Sequence, residues 1–405
     1  MLSNLLEGKR IIDLTQNVAG PFCTQILGDL GAEVIKIERP DSGDDTRAWR
    51  PPEIGGQSAT FLALNRNKRS VCLNLDHPES LDIVRQLTGQ ADVVIHSMKP
   101  GSAQARGLGP DRLMVANPRL VYCAISAFGE IGPLAQLPGY DPLMQAFCGI
   151  MSVTGNPGDD PARVSVSLID MGTGLWSALG ILSALMMRDR TGKGMQVNAS
   201  LLETGISWMT VFVSGYLASG QLPRKLGSAM AMAAPYELFR TRDGHVFIAA
   251  GNDRLFDKVC QALDRPDLAQ DARFTTNADR VHHREALRAA IEKATSLLPT
   301  ATIVERLRTA GAPCSELNNI AQTLEHEQVR SLDLLTPLPT PDIPNLRGVA
   351  LPLRANGTRV GRAVPPPALG ADTDDVLRAL GCDAATRQRV KTAGSRVHAD
   401  PAADA

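Results

Sequence analysis

Between Arg10 and Glu203 short apolar runs alternate with amphipathic ones, and few folds accept that rhythm. RIIDLT (Arg10–Thr15), EVIKIE (Glu33–Glu38), SVCLNLD, ADVVIHS and RLVYCAISAF read as strands. FCTQILGDLGA, following Pro21, and ESLDIVRQLTGQ read as helices. Near-continuous apolar strands separated by helices imply a parallel sheet buried on both faces, so the fold class is α/β. Residues 1–220 are expected to form this large domain. GQLPRKLGSAMAMAAP loses periodicity and reads as a connection. YELFRTRDGHVFIAAGND then reads as a hairpin turning at Asp243-Gly244. With RLFDKVCQAL, HREALRAAIEKATSL and IVERLRTAGA as helices, it makes residues 221–325 a smaller α+β domain. Proline becomes dense in LPTPDIPN and AVPPPALG, so 326–390 is an extended return ending in the helix TDDVLRALG. The polar, Ala-rich tail, 391–405, is expected to be disordered.

The 405 residues carry 42 Lys and Arg against 43 Asp and Glu. A net charge of −1 argues against a nucleic-acid partner, which needs a basic face, and RNKRS (Arg66–Ser70) is the one local basic cluster. The N-terminal stretch MLSNLLEGKRIIDL lacks the pattern of a secretory leader. The apolar run Leu175–Met187 is shorter than the ~20 residues of a membrane span, so a buried core helix is expected and no membrane partner. Seven dispersed cysteines without a CxxC pair suit reduced thiols in a cytoplasmic enzyme. The adjacent pair His282-His283 points two ways on a helix, and no metal site is expected.

A dinucleotide site needs a GxGxxG turn; Asn17-Val18-Ala19-Gly20-Pro21 offers one glycine and then proline. A GxxxxGK[ST] phosphate loop and a GxSxG elbow are both missing from the sequence. His96 ends a strand on the side where open α/β sheets keep their sites, yet a lone histidine is more often structural. The stretch RVSVSLIDMGTG (Arg163–Gly174) is more informative. Alternating Val164, Val166 and Leu168 read as a strand that delivers Asp170 to the start of a very apolar helix. Asp170 has two readings: a helix cap, or a desolvated and reactive carboxylate with Gly172 and Gly174 leaving room for a bulky reactant. No second acid stands near it in sequence, so if it reacts, it reacts by forming a bond.

Several segments together resemble the class III CoA-transferases, the group of formyl-CoA and carnitine CoA-transferases. They are DLTQNVAGPFCTQILGDLGAEVIKIERP (Asp13–Pro40), NRNKRSVCLNL (Asn65–Leu75), PGYDPLMQAFCGIMSVTG (Pro138–Gly155), SLIDMGTGLWSALGILSAL with TGKGMQVNASLLE (Ser167–Glu203), DGHVFIAAGND and PPPALG (Pro365–Gly370). The resemblance implies a Rossmann-like large domain whose parallel sheet is formed by both chain ends, a smaller α+β domain, and two chains interlocked as rings in a homodimer. It implies Asp170 as nucleophile: the carboxylate takes the acyl group of an acyl-CoA as a mixed anhydride, then CoA as a thioester, and passes CoA to an acceptor acid. The backbone at Val18 and Ala19 would supply oxyanion donors, and Tyr140 would stand at the reacting centre. Coenzyme A would be held by Asn17, Arg39, Lys68, Arg69, Ser97, Met98, Lys99 and Arg106, with Arg66 in the same basic element. Asp141, Gly251 and Asn252 would face the substrate.

The sequence departs from that pattern in two places. HSMKPG puts Ser97 and Met98 where the family commonly has Asn and Phe, and Ala105 where it has an arginine, with Arg106 one place on. Racemases of this fold carry histidine in a G-H-D segment, whereas this chain reads Gly139-Tyr140-Asp141. A tyrosine, with a reference pKa of about 10, is a poor proton shuttle at neutral pH. The expected activity is therefore CoA transfer from an acyl-CoA such as succinyl-CoA to a small carboxylic acid. A dicarboxylate such as malate, citramalate or itaconate fits the scattered basic residues. An α-methylacyl-CoA racemase is the alternative within the fold; a non-catalytic CoA-binding homologue is the alternative outside enzymes, and the intact MGTG after Asp170 speaks against it.

Overall fold

Six parallel strands organise the larger of two units in the structure, a computed structural model that describes residues 2–394. They are β1 (Arg10–Leu14), β2 (Glu33–Glu38), β3 (Lys68–Cys72), β4 (Val93–His96), β5 (Val121–Ser126) and β6 (Gln196–Ser200). Their order, β3-β2-β1-β4-β5-β6, is the strand order of dinucleotide-binding sheets. Every adjacent pair is parallel. Ile11, Ile12, Val34, Ile35, Val93, Val94 and Ile95 are all buried, which is why these strands are apolar along their whole length rather than alternating.

Helices α1 (Ala19–Asp29), α2 (Pro78–Gly89), α3 (Asp141–Phe147), α4 (Leu168–Thr191) and α5 (Leu201–Trp208) connect and cover the sheet. α1 and α4 pack closely against each other. A Cβ at Gly174 of α4 would lie 2.5 Å from the Ala19 carbonyl oxygen and 3.2 Å from the Cys23 nitrogen of α1. Only glycine admits that approach.

The strand expected at Val164–Leu168 does not form. Gln145 takes the place of a neighbouring strand: its amide donates to Val164 O and its carbonyl accepts from Val164 N–H, at 3.0 and 2.8 Å. Val166 is left exposed, and the chain enters α4 directly at Leu168. α4 is longer than the apolar core Leu175–Met187 suggests, at 24 residues, because the turns holding Asp170 and Gly172 extend it at its start and the polar turn Arg188–Thr191 at its end. By length and composition it could cross a membrane, but half of its most apolar window is buried inside the fold. Ala178, Ile181 and Leu185 lie on its buried face.

The larger unit comprises the residues up to Ile150, Val164–Ser214 and the chain from Asp333 onward. It is built from both chain ends, but all six parallel strands lie between Arg10 and Ser200. The return contributes helices and short hairpins, and it covers the edge strand β3. Asp372 accepts from Ser70 N–H, the Thr373 hydroxyl accepts from Cys72 N–H, and Gly370 N–H donates to the Ser70 hydroxyl. A helix runs from Ala384 to Gly394 and so covers the first residues of the tail expected from Lys391, and 395–405 lie outside the described residues.

The smaller unit holds Met151–Arg163 and Gly215–Leu332, so its limits differ from 221 and 325 and it takes an early segment that has no periodicity to betray it. Strands β7 (Tyr236–Arg240) and β8 (His245–Ala249) pair antiparallel across Asp243-Gly244, and Cys314–Glu316 joins β8. Helices α6 (Asp253–Ala262), α7 (Arg284–Thr295) and α8 (Thr300–Ala310) cover the sheet, burying Phe256, Ile291 and Leu307 with Phe239 and Ile248.

Candidate active site

The order of the large sheet reverses between β1 and β4, and the crevice beyond their C-terminal ends is where open α/β sheets bind ligands. A cleft of about 240 Å³ lies there. The loop Gln16–Gly20 after β1, the loop Ser97–Pro100 after β4, Tyr140 and Asp170 all line it.

Asp170 is the third residue of α4. Burial, and after it the carboxylate of Asp141, push its pKa up to about 7. Among the described residues no donor reaches its carboxylate. Asp170 is not the helix cap; Asp141 is. The buried Asp141 side chain accepts from the N–H groups of Ile169 (2.7 Å) and Asp170 (3.1 Å), and the Gln145 amide donates to its other oxygen at 2.5 Å. Asp141 was expected to face the substrate; instead it is spent on the helix start and on its neighbour's acidity.

Opposite Asp170, α1 begins with Val18, Ala19 and Gly20 in the same cleft. The first N–H groups of a helix lack intrahelical acceptors and mark its positive end. Gly172 and Gly174 do not open space for a reactant. A Cβ at Gly172 would meet the Trp208 ring at 2.7 Å, and Gly174 is closed by α1. The glycines serve helix packing.

Ser97, Met98 and Lys99 line the cleft, and the Ser97 hydroxyl accepts from Gln16 N–H at 3.2 Å. Their loop is anchored by His96. Its Nδ1 accepts from Met98 N–H, its Nε2 lies 2.8 Å from the Tyr122 hydroxyl, and that hydroxyl donates to Leu108 O. Burial lowers the His96 pKa to about 4, so the ring is neutral and structural.

Other expected contacts lie elsewhere. The Lys68 ammonium is buried, donating to Pro21 O and Asn65 Oδ1 with Asp13 at 3.4 Å, and cannot meet a phosphate. Arg66 is bonded to Asp29, and Arg69 to Glu33 and Asp372. These side chains brace the fold because each faces a carboxylate within it. Arg39 bonds Asp45 and Gly43 O, and Arg106 pairs with Asp76 at 2.8 Å; neither lines the cleft. Gly251 and Asn252 belong to the smaller unit, where the Asn252 side chain caps α6 through Leu255 N–H. Sequence reasoning missed Trp49 and Leu201, which line the cleft. An aromatic in the loop after β2 was the only signal for the first.

The family model described as CoA-transferase family III matches residues 6–373. The chain belongs to that family. Succinyl-CoA:glutarate CoA-transferase of Homo sapiens is 35% identical to this CoA-transferase over 92% of the chain and 85% of its own length. Acetyl-CoA:oxalate CoA-transferase of Acetobacter aceti is 39% identical over 81% and 85%. A solved CAIB/BAIF family protein from Brucella suis superposes with a TM-score of 0.84 at 36% identity, covering 93% of this chain and 99% of that one.

With its pKa pushed up to about 7, Asp170 loses its charge below that pH, and any step that needs the ionised carboxylate is expected to slow there. Asp141→Asn removes the lesser of the two causes and should move that midpoint down by about half a pH unit to one. A pH profile of kcat/KM for both proteins measures the change; an unaltered midpoint would mean that Asp141 does not set the acidity of Asp170.

Proposed function

We propose that the protein transfers CoA from an acyl-CoA to a dicarboxylic acid, with Asp170 as the covalent carrier. One observation carries this reading: a carboxylate of raised pKa, which no donor reaches among the described residues, lines the same cleft as the start of α1, with no histidine among the described lining residues. The ionised oxygen of Asp170 attacks the thioester carbonyl, and the N–H groups at Val18 and Ala19 take up the oxyanion. The C–S bond breaks, giving a mixed anhydride and CoA thiolate. The thiolate attacks the aspartyl carbon and expels the first acid, leaving an aspartyl-CoA thioester. The acceptor carboxylate attacks that thioester in turn, and the released thiolate completes the acceptor's own thioester and restores Asp170. No net proton is consumed, so no proton shuttle is needed. Each step exchanges one activated acyl bond for another.

The relatives named for succinyl-CoA with glutarate and for oxalate support a dicarboxylate acceptor and a donor such as succinyl-CoA. Lys99, the single cation among the described lining residues, supports an anionic ligand. Exposed apolar side chains on α4 (Leu175, Trp176, Leu179), with Trp208 and Val211, support a second copy of the chain as partner. Dispersed free thiols support a cytoplasmic setting.

Quenching the enzyme with hydroxylamine after incubation with succinyl-CoA is expected to leave a hydroxamate on the peptide bearing Asp170, read by mass. A panel of acceptors should then favour dicarboxylates over monocarboxylates of equal length. Exchange of an α-proton for deuterium without any adduct would replace this reading with a racemase.

A further inference from the structure

The larger unit buries a group of charges that the transfer chemistry does not use. Lys36 on β2 and Asp44 have fully buried side chains and form an ion pair at 2.8 Å. Beside them lie the fully buried Asp13 and Lys68, and the pair of buried Glu38 with partly buried Arg47. Burying ions costs several kcal/mol each, and well-packed apolar residues of the same size often serve stability as well. A device that expensive calls for an account of what it holds.

It holds the loop between β1 and α1. Asp13 accepts from Thr15 N–H at 2.9 Å. The Lys36 ammonium donates to Thr15 O at 2.8 Å. Asp44 accepts from Asn17 N–H at 3.2 Å through Oδ1, which also binds the amide and hydroxyl of Thr46. The Gln16 N–H is taken by Ser97. Asn17 sits at a φ of 68°, a left-handed conformation that asparagine adopts more readily than other non-glycine residues, and the bond from its N–H to Asp44 holds it there. Thus the peptides from Thr15 to Asn17 are tied down from beneath the cleft, and the next groups in the chain are the N–H donors of Val18 and Ala19.

We infer that Lys36 and Asp44 are positioning residues for the oxyanion donors: their pair fixes the Thr15–Asn17 backbone and so aims the Val18 and Ala19 amides at the carbon undergoing attack. The inference rests on the covalent role proposed for Asp170. Its specific content is that the pair acts on the transition state and not on the binding of acyl-CoA. Donors aimed at a developing oxyanion contribute little to the ground state, so their misalignment lowers kcat and leaves KM nearly unchanged. A brace that served only the fold would change the amount of folded enzyme and leave the turnover of each folded molecule alone.

Two variants separate these outcomes. Lys36→Met with Asp44→Leu removes both charges together and leaves no orphaned ion. Asp44→Asn is isosteric, keeps the oxygen toward Asn17 and turns an NH₂ group against the Lys36 ammonium. Per folded molecule, kcat is expected to fall about 30- to 100-fold in the double variant and about tenfold in Asp44→Asn, the scale for a displaced oxyanion donor. The KM for succinyl-CoA should stay within about twofold, and the pH midpoint of about 7 should be kept, because Asp170 is untouched. Amide hydrogen exchange over residues 15–19 should quicken at least tenfold in the same proteins, a readout independent of the reaction. If the double variant does not fold, Asp44→Asn decides alone. Turnover within threefold of the parent, or unchanged exchange over 15–19, overturns the inference. Failure of the wild-type enzyme to form the Asp170 adduct is a separate result that would overturn the mechanism, while the exchange measurement still judges the brace.

Discussion

Asp170→Asn is expected to abolish CoA transfer and, at alkaline pH, to raise the melting temperature. The amide cannot attack a thioester, and loss of a covalent nucleophile costs on the order of 10⁴-fold or more in kcat. The gain in stability follows from the same burial that raises the pKa of the carboxylate. Its folded pKa, about 7, lies above the ordinary value of 3.8. The native protein therefore holds this proton more tightly than the unfolded chain does. That contribution is fully present below about pH 4 and is lost as the pH rises through 7, where the native state must carry a desolvated anion beside Asp141. Asparagine removes the anion. At pH 8 the variant should gain about 2–4 kcal/mol, because a tenfold change in proton affinity is worth ~1.4 kcal/mol, and near pH 4 the gain should vanish. Thermal unfolding at the two pH values, with steady-state turnover, measures both effects. A variant that melts lower at pH 8, or that still turns over, contradicts the assignment.

Gly174→Ala is expected to be strongly damaging without touching a reactive group. The added methyl would stand 2.5 Å from the Ala19 carbonyl oxygen and 3.2 Å from the Cys23 nitrogen, both main-chain atoms of α1 that have no rotamer to change. The helices must part, and the movement takes Val18 and Ala19 away from Asp170. Overpacking of this kind costs about 1–3 kcal/mol or more, and a displacement near 1 Å at a reacting centre costs about 10²-fold in rate. The expected result is a hundredfold loss of kcat or a steep fall in soluble yield. Gly215→Ala is the control: nothing lies within 4 Å of its added methyl, so its helix should be unharmed or slightly stabilised. Equal behaviour of the two variants would rule out helix contact as the function of Gly174.

The parts of this architecture that are legible in the sequence are those with a local cause. EVIKIE is a strand over its full length because both of its faces are buried, and Asp243-Gly244 turns the hairpin that its chemistry demands. Asp170 stands out because it opens an apolar helix. What escaped reading is decided at long range. Asp141 reaches Asp170 from 29 residues upstream, so the acid appears solitary on paper and is not so in space. Val164, Val166 and Leu168 carry a strand's alternation, yet one glutamine satisfies that backbone and no ladder is needed. The resemblance of their segment assigns Lys68 and Arg69 to CoA, and nothing local in that segment tells of the carboxylates that face them.

The cover over β3 has a bearing on how the molecule is made. The groups that close this edge, Gly370, Asp372 and Thr373, follow Ser70 by some 300 residues. A ribosome adding about 5–20 residues each second needs a quarter of a minute or more to bridge that gap. Throughout that interval the newborn sheet presents a bare rim on which a stray strand could dock. Arrival of the segment Gly370–Thr373, rather than collapse of the strands made before it, is the event that closes this rim to its neighbours.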